Sequence, residues 1–488
     1  MPVRALGLTR NRANATVSPP VAPSPSIVSG DPRMRRLAVL LFAGIPSLLA
    51  GQGFGVYEHN ACTMARAGVA AASPCADGSA IFFSPAALAG LSGIHLSGGV
   101  TLIQAKGGFT DDLLQQHTDL DNPVVPVPNG FLTYAVSPKV TVGIGAYVPY
   151  GLESRWPTAG FEGRFIGYDS KLKALYVQPT VGYQVNDWLK VGLGVAYVHS
   201  TVELHQRVDL STLTVPFQSF TFAALGIPTG TDFADGALSA SGNGIAVNFG
   251  GIIKVNDRLS IGGHFITRKT ITYDGSASFA PIATGIKLAA GNPLGYPAGT
   301  LIDTVTNFKV LFSAGAPFSS GNASTAITLP DQGSIGLAYK LRGDWTVMAD
   351  YQGVVWGWFN SLKIDFNRFP NDTLTDQTLS PRNKDTHGFR FGTEYQYNPS
   401  LTLRAGYLVH TGASPSDFVT PLLPEGARYE FTAGAGFKLG GNLHGDVAYQ
   451  YIQQLDRRGR VYPNSAVGNT GLFTFYAHLF GFGLAYTF

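Results

Sequence analysis

The chain has 488 residues, of which 45% are hydrophobic, 13% are charged and 12% are aromatic, with 60 glycines and two cysteines. A mean hydropathy of +0.11 excludes an intrinsically disordered chain, and two cysteines exclude a disulfide-rich scaffold. The first 50 residues carry six arginines and one acid, so without them the formal charge of +3 becomes about −2. This balance argues against a nucleic-acid partner. Many glycines and aromatic residues with few charges favour one large barrel.

The first 50 residues are predicted to be an upstream extension followed by a secretory signal peptide. Met34, Arg35 and Arg36 form a charged start, and Leu37–Leu49 form an apolar run of the length expected for such a peptide. Met34 is a candidate for the true start of translation. The alternative is a membrane anchor, but the apolar run is too short to span a bilayer. We therefore expect an exported protein, which is either soluble in the periplasm or a membrane β-barrel.

Residues 51–93 are expected to form a hatch, a plug that fills the lumen of the barrel predicted for the residues that follow. They lack the alternation of a strand, and short helical turns are plausible between residues 61 and 72. Cys62 and Cys75 both lie here, and in an oxidising periplasm they could close a disulfide. The alternative is two unpaired small residues.

Residues 94–488 show a repeated alternation of large apolar and small or polar residues, which predicts strands with one face in lipid and one in a lumen. Short turns alternate with long connections, as in outer-membrane barrels. The predicted strands are 94–106, 129–137, 139–149, 171–185, 188–205, 243–256, 259–273, 333–342, 344–356, 386–397, 400–411, 427–439, 441–455 and 472–488. Fourteen is an even number, so we predict an all-β fold, a 14-stranded antiparallel transmembrane β-barrel.

The last of these strands has the clearest pattern. Its bulky residues alternate with Gly, Ala and Thr: Phe480, Phe482, Leu484, Tyr486 and Phe488. A soluble sandwich edge is the alternative. The ending on Phe488 resembles the C-terminal signal of bacterial outer-membrane barrels, which implies recognition by the barrel-assembly machinery.

Three sets of motifs occur along the mature chain: Ser84-Pro85-Ala86-Ala87-Leu88, Val148-Pro149-Tyr150-Gly151-Leu152, and a tail from His387-Gly388-Phe389-Arg390-Phe391-Gly392 through Ser414-Pro415 and Leu423-Pro424 to Arg428. In these motifs and their order, the whole mature chain resembles the FadL/TodX-type outer-membrane transporters of hydrophobic compounds. The first motif has Ser84 where the family usually has Asn, which puts a side-chain hydrogen bond of that Asn in doubt.

The resemblance implies passive uptake of long-chain fatty acids or other hydrophobic molecules across the bacterial outer membrane. Ligand would bind apolar extracellular loops, pass to a lumenal pocket and leave sideways beside a kinked third strand after a shift of the hatch. Ser84 and Pro85 in the hatch, with Pro149 and Gly151 at the third strand, are the implied gate residues. We expect Pro149 and Gly151 to end that strand, and ordinary strand termination is an equally good interpretation.

Two groups of residues are candidates for ligand binding. Strand parity places Arg390, Glu394, Arg404, Glu430 and Asp446 inward, with Arg428 near a strand end, and an arginine can bind a carboxylate. The alternative is a ladder of mutually neutralised charges that braces the wall. The long outer connections, residues 206–242 and 274–332, are rich in apolar residues, which suggests a binding surface or, alternatively, a self-packed loop core. The candidates there are Phe217, Phe220, Phe222, Leu225, Phe308 and Phe312.

No catalytic motif is found, so we expect no enzyme activity, no cofactor and no metal. The expected partners are outer-membrane lipid and a hydrophobic small molecule, and the protein is expected to be monomeric. The main competing function is a diffusion porin for small polar solutes, which would have an open, charge-lined channel and no plug.

Overall fold

The computed structural model describes residues 53–113, 115–359, 362–365, 377–379, 382–460 and 470–488. The predicted extension and signal peptide, residues 1–50 with Met34, lie outside the described residues. None of the helices in these ranges is long and apolar enough to cross a membrane.

Twenty strands make up a single antiparallel sheet. In chain order they are β1 (Ile94–Asp111), β2 (His117–Asp119), β3 (Val125–Ser137), β4 (Val140–Arg155), β5 (Asp169–Gln184), β6 (Leu189–Asp209), β7 (Asp232–Lys254), β8 (Leu259–Ile266), β9 (Lys269–Pro281), β10 (Gly321–Leu329), β11 (Gln332–Arg342), β12 (Trp345–Val354), β13 (Leu362–Asp365), β14 (Gln377–Leu379), β15 (Thr386–Asn398), β16 (Leu401–His410), β17 (Arg428–Gly440), β18 (Leu443–Gln454), β19 (Arg457–Arg460) and β20 (Thr470–Thr487).

These strands form a closed barrel of fourteen crossing strands, which confirms the predicted fold class. The predicted strand at 259–273 is interrupted, so β8 and β9 together make one crossing, and β10 with β11 make another. Strands β2, β13, β14 and β19 are short pairings next to the long connections. The last strand closes the ring, since β20 pairs with β1 from His95↔Thr487 to Asp111↔Gly471.

The alternation predicted for the last strand is present. Phe482 and Leu484 are 47% and 56% exposed on the outer face. A Cβ at Gly481, on the inner face, would lie 2.9 Å from the Met64 sulfur. Bulky residues therefore face lipid while small residues face the lumen.

All short turns lie at one end of the barrel, together with the start of β1 and the end of β20, and all long connections lie at the other. The predicted limits of two connections are wrong. Strands β6 and β7 remain paired up to Asp209↔Asp232, so one connection is 210–231, and the other is 282–320 because β9 and β10 are also longer. The strands extend beyond the residues that show the apolar alternation. Near the long connections their outward-facing residues, such as Ser239 and Ser241, are polar and exposed.

The helices in the described ranges are all short. The α-helices are α1 (Ala61–Met64), α2 (Ala80–Phe83) and α3 (Thr306–Lys309), and the 3₁₀ helices are Pro85–Gly90, Glu162–Phe165, Leu210–Thr212, Phe222–Leu225, Ile302–Thr304, Val310–Phe312, Trp356–Trp358 and Ser416–Phe418. Asn60 caps α1, because its side-chain oxygen accepts a hydrogen bond from the backbone N–H of Thr63 at 3.1 Å. The helical turn predicted up to residue 72 ends sooner, since Ala67 and Gly68 both have positive φ.

Residues 53–93, called the N-terminal segment below, pack against inward-facing positions of strands on every side of the barrel. Glycines make this close approach possible. A Cβ at Gly192 of β6 or Gly262 of β8 would overlap the backbone of Pro85 or Ala71. Gly392, Gly406 and Gly434 make similar approaches to Ala65, Arg66 and Ala67. The N-terminal segment therefore lies inside the ring of strands.

Polar side chains of the wall satisfy the backbone of this segment. The Asp350 carboxylate accepts hydrogen bonds from the N–H groups of Ala70 and Ala71, at 2.8 and 3.0 Å. The Gln178 amide donates to the carbonyl of Ile81 at 2.8 Å. Because buried backbone groups need partners, these side chains hold the segment in one position.

A disulfide joins Cys62 to Cys75 across the segment. The loop that it closes contains Ala70 and Ala71, the residues bound by Asp350. The disulfide therefore limits the freedom of the part of the segment that contacts the wall.

Replacing both cysteines with serine (Cys62→Ser, Cys75→Ser) is expected to lower the free energy of unfolding by about 3 kcal/mol, as estimated for a closed loop of this length. Maleimide labelling of the denatured, non-reduced wild-type protein should find no reactive thiol, and labelling after reduction should find both. Labelling of two thiols before reduction would contradict the disulfide.

Candidate functional site

Two adjoining cavities lie in and beside the lumen. The first has a volume of about 330 Å³ and lies toward the long connections. Its lining is mostly aliphatic and aromatic: Phe54, Leu152, Ile166, Leu172, Val202, Leu204, Leu238, Ile327, Phe359, Leu362, Ile364, Phe418, Leu422 and Leu423. A concave site of this composition suits a hydrophobic small molecule.

The second cavity, of about 520 Å³, reaches the wall of the barrel between β3 and β4. Strand pairing between β3 and β4 starts at the short-turn end and stops at Gly130↔Ala146. Beyond that point, residues 125–129 of β3 pair with β1, and β4 pairs with β5 and, at Tyr150, with Gly55 of the N-terminal segment. We call this opening between residues 125–129 and 147–155 the gap.

The N-terminal segment lies beside β4 along this gap. The N–H of Val56 donates to the carbonyl of Pro149 at 2.9 Å, and the N–H of Gly151 donates to the carbonyl of Phe54 at 3.0 Å. The expectation that Pro149 and Gly151 end the strand is wrong. The strand continues to Arg155 through a register shift between Tyr147 and Tyr150, because the adjacent β5 keeps pairing on the other side.

The two cavities meet at four apolar residues and one ion pair. Phe54, Leu152, Leu172 and Leu423 line both of them, and so do Lys171 and Glu203, whose charged groups lie 3.7 Å apart. The Phe54 ring packs edge-on against Trp356, with ring centroids 4.6 Å apart. Phe54, which lies where the two cavities adjoin, is thus part of the N-terminal segment.

Arg390 faces inward as predicted but lines neither cavity. Its guanidinium lies 4.3 Å from the centroid of the Tyr57 ring and donates to the carbonyl of Gly68 at 3.3 Å and to Gln352. The side chain is 3% exposed. Arg390 therefore contacts the N-terminal segment, and the geometry supports the bracing interpretation over ligand recognition.

Arg404 also lies away from both cavities, between two carboxylates. Its Nε is 2.7 Å from Glu394 and its Nη1 is 2.6 Å from Asp446. Glu394 is in addition 3.6 Å from Arg66 of the N-terminal segment. This chain of opposite charges is the neutralised ladder named above as the alternative.

Of the six predicted inner residues, Arg428 alone lines one of these two cavities. It borders the second cavity together with Glu58 and Glu425, and its Nε lies 2.8 Å from Glu430. A carboxylate in this cavity would therefore meet acidic as well as basic neighbours.

The predicted loop residues are mostly buried in a core of their own. Phe222, Leu225 and Phe308 are at most 8% exposed, within a cluster formed by the connections 210–231 and 282–320, and Phe220 and Phe312 pack against it. Phe217 differs, since it is 81% exposed. The structure thus places five of the six in a self-packed loop core, and their role in ligand binding stays a prediction.

The gate candidates of the N-terminal segment lie deep in the lumen. Ser84 is fully buried, and its hydroxyl donates to the carbonyl of Ala71 at 3.1 Å. Pro85 starts the 3₁₀ helix that packs against β5 and β6. Serine thus forms a hydrogen bond inside the segment at the position where the asparagine was expected.

Burial also sets the charge state of a nearby histidine. His59 packs against Phe82 and Phe83, and loss of solvent lowers its pKa to about 3. The imidazole is therefore neutral at neutral pH.

Several residues that bind the N-terminal segment or line the cavities were not predicted from the sequence. Asp350 stands at the inward parity of its strand, so a carboxylate aimed into the lumen was visible there. Phe54, Leu152 and Leu172 carry no such signal, because each is an ordinary apolar residue whose place at a cavity depends on the fold.

Comparisons with known proteins agree with this geometry. Residues 43–488 match the model of a family described as outer membrane protein transport protein (OMPP1/FadL/TodX). An outer membrane protein of Neisseria meningitidis serogroup B is 24% identical over 438 residues, which are 84% of this chain and 87% of that protein. Outer membrane protein P1 of Haemophilus influenzae is 23% identical over 68% of this chain and 67% of its own length.

Solved structures show the same fold. A FadL homologue of Pseudomonas aeruginosa has a TM-score of 0.72 at 18% identity and covers 90% of this chain and 100% of its own. The toluene transporter TbuX of Ralstonia pickettii has a TM-score of 0.60 at 19% identity, with 88% and 99% covered. With the family match over nearly the whole length, the chain belongs to the OMPP1/FadL/TodX family, the outer-membrane transporters of hydrophobic compounds.

Proposed function

We propose that this protein takes up hydrophobic molecules passively, through the first cavity and then the second, and releases them sideways through the gap. The observation that carries the proposal is that the two cavities adjoin, with Phe54, Leu152, Leu172 and Leu423 among their shared lining, and that the second reaches the wall between β3 and β4. An apolar molecule on this route exchanges water for a partly apolar lining and then for lipid, and the burial of its apolar surface favours the passage.

The N-terminal segment acts as the hatch in this proposal. Phe54 lies between the cavities, and residues 54–56 are held by two backbone hydrogen bonds to β4. Two such bonds are a small obstacle, each with a net contribution of about 1 kcal/mol. A local shift of these residues can therefore open the route while the rest of the segment stays bound to the wall.

Two cargo classes fit, fatty acids and neutral hydrocarbons. The first cavity suits both, because its lining is mostly apolar, with Lys171, Glu203 and Arg460 as its charged residues. The second also has charged residues, with Arg428 and Lys173 as possible partners of a carboxylate and Glu58 and Glu425 opposing it. The likeness in fold to a toluene transporter supports the hydrocarbon class.

Leu152→Asp is expected to reduce uptake of both oleate and toluene by at least about tenfold, because a charge beside the shared lining penalises an apolar molecule there. The measurement is uptake by a Gram-negative host that lacks its own hydrophobic transporter. Leu152→Met is the matched control, since it keeps volume and polarity and should transport normally. Normal uptake by the Asp variant would contradict the proposed route.

Substitutions of Arg404 and of Arg428 are expected to have different effects, the first on stability and the second on oleate binding. Arg404→Met should lower stability by roughly 2 kcal/mol, below the value for a fully buried pair because Glu394 is 33% exposed. It should affect oleate and toluene alike. If the cargo is an acid, Arg428→Met combined with Glu430→Gln should weaken oleate binding about ten- to hundredfold and leave toluene uptake nearly unchanged.

Thermal unfolding and uptake of both probes distinguish these cases. A selective loss of oleate in the Arg404 variant, with normal stability, would show that Arg404 recognises the carboxylate after all.

Hatch function predicts a small, intermittent single-channel conductance for the wild type. Deleting residues 52–80 should raise it markedly, and Asp350→Ala should raise the open fraction, because it removes the acceptor for Ala70 and Ala71. Asp344→Ala, in an exposed turn of the same wall, is the control. A large, steady conductance in the wild type would instead support a diffusion porin, and no change on deletion would mean that the segment does not occlude the lumen.

A further inference from the structure

Strand β3 has an unusual sequence along the gap, Val125-Pro126-Val127-Pro128. Each of these residues pairs with a residue of β1, for example Pro126 with Leu102 and Pro128 with Val100. They have no strand partner on the other side, where the pairing with β4 has already ended. This stretch is therefore a sheet edge inside the wall of a barrel.

The hydrogen bonds between β3 and β1 show which backbone groups of β3 point into the gap. The N–H of Ala135 donates to the carbonyl of Gly93 at 2.9 Å, so odd-numbered residues of β3 face β1. Backbone groups alternate sides along a strand, and the pairing of β1 with β3 has no register shift. The backbone nitrogens of Pro126 and Pro128 therefore face the gap, where as prolines they offer no hydrogen-bond donor.

The opposite edge, on β4, has substitute partners in place of β3. Beside the bonds to residues 54–56, the Asn122 amide donates to the carbonyl of Glu153 at 2.8 Å and accepts from the N–H of Arg155 at 2.7 Å. The N–H of Asp121 donates to the carbonyl of Arg155 at 2.8 Å. Backbone groups on β4 are thus occupied without any contribution from β3.

We propose that Pro126 and Pro128 hold the gap open, as positioning residues for the sideways release proposed above. Any other residue at these positions would direct two N–H groups at the carbonyls of β4. In lipid an unpaired N–H is costly, so such residues would favour displacement of residues 54–56 and closure of β3 onto β4. The prolines remove both the cost and the driving force for closure. This inference rests on the proposed function, since an open gap matters only if cargo leaves by it.

The test compares the double variant Pro126→Thr, Pro128→Thr with the wild type and with Pro281→Thr. Pro281 is an exposed proline at the end of β9, far from the gap in the strand order, and is the matched control. Hydrogen exchange reports whether the amides introduced at positions 126 and 128 are protected. Oleate and toluene uptake, and their binding to the purified protein, report on transport and on the first cavity.

We expect protected amides at both positions, uptake of both probes reduced about tenfold, and binding unchanged, because two added ladder bonds favour the closed gap by at least that factor. The single variants Pro126→Thr and Pro128→Thr should give intermediate losses, and they carry the test if the double variant does not assemble. The Pro281→Thr control should transport normally.

Two results would overturn the inference, and they differ in what they say of the proposed function. Unprotected amides with normal uptake would show that the prolines do not control the gap, and the proposed route would stand. Protected amides with normal uptake would show that a closed gap does not hinder release, so the sideways route itself would be wrong.

Discussion

The requirement that every backbone hydrogen bond be satisfied within the membrane is the constraint on which this structure depends. Fourteen strands meet it by closing on themselves through the long β1–β20 ladder. Closure of that many strands creates a lumen wider than the inward side chains can fill. The structure of the ring therefore has to be considered together with the residues that fill it. At the gap the ladder is interrupted. There the partners of β4 are residues 54–56 and the pair Asp121 and Asn122, and the donors missing from β3 are those of two prolines.

The contents of the lumen follow the same rule in another way. The N-terminal segment has only short helices, so most of its backbone groups have no partner within the segment. Wall residues such as Asp350 and Gln178 supply these partners, and glycines such as Gly192 let the two backbones approach closely. The contact is therefore polar along much of the segment and aromatic at Phe54, which packs against Tyr150, Trp356 and Phe359 beside the cavities.

The strands and turns could be predicted because alternation is a local property that lipid on one side imposes. The last strand shows this, with Phe482 outward and Gly481 against Met64. Beyond the lipid this requirement no longer applies. The end of β6 at Asp209 and the start of β7 at Asp232 therefore show no apolar alternation from which they could be predicted. The family likeness placed Pro149 near the opening, but the register shift at Tyr147 depends on β5 and could not be seen in one strand.

Inward parity likewise identified the charged residues but not their partners. Glu394 lies on the strand next to that of Arg404, and Asp446 lies far from Arg404 in the sequence. The register of the strands brings both carboxylates next to Arg404. The same holds for the loop aromatics, which were recognisable as apolar but not as mutually buried. Cavity-lining residues such as Leu152 were the least predictable, since nothing distinguishes them chemically from the leucines that face lipid.

The position of the N-terminal segment has a consequence for biogenesis. The segment touches strands from both ends of the chain, among them Gly481 near the C-terminus, and it is enclosed once β20 pairs with β1. Closure of the seam between β20 and β1 and placement of the segment are therefore coupled, because Gly481 of β20 both pairs with β1 and lies against Met64 of the segment.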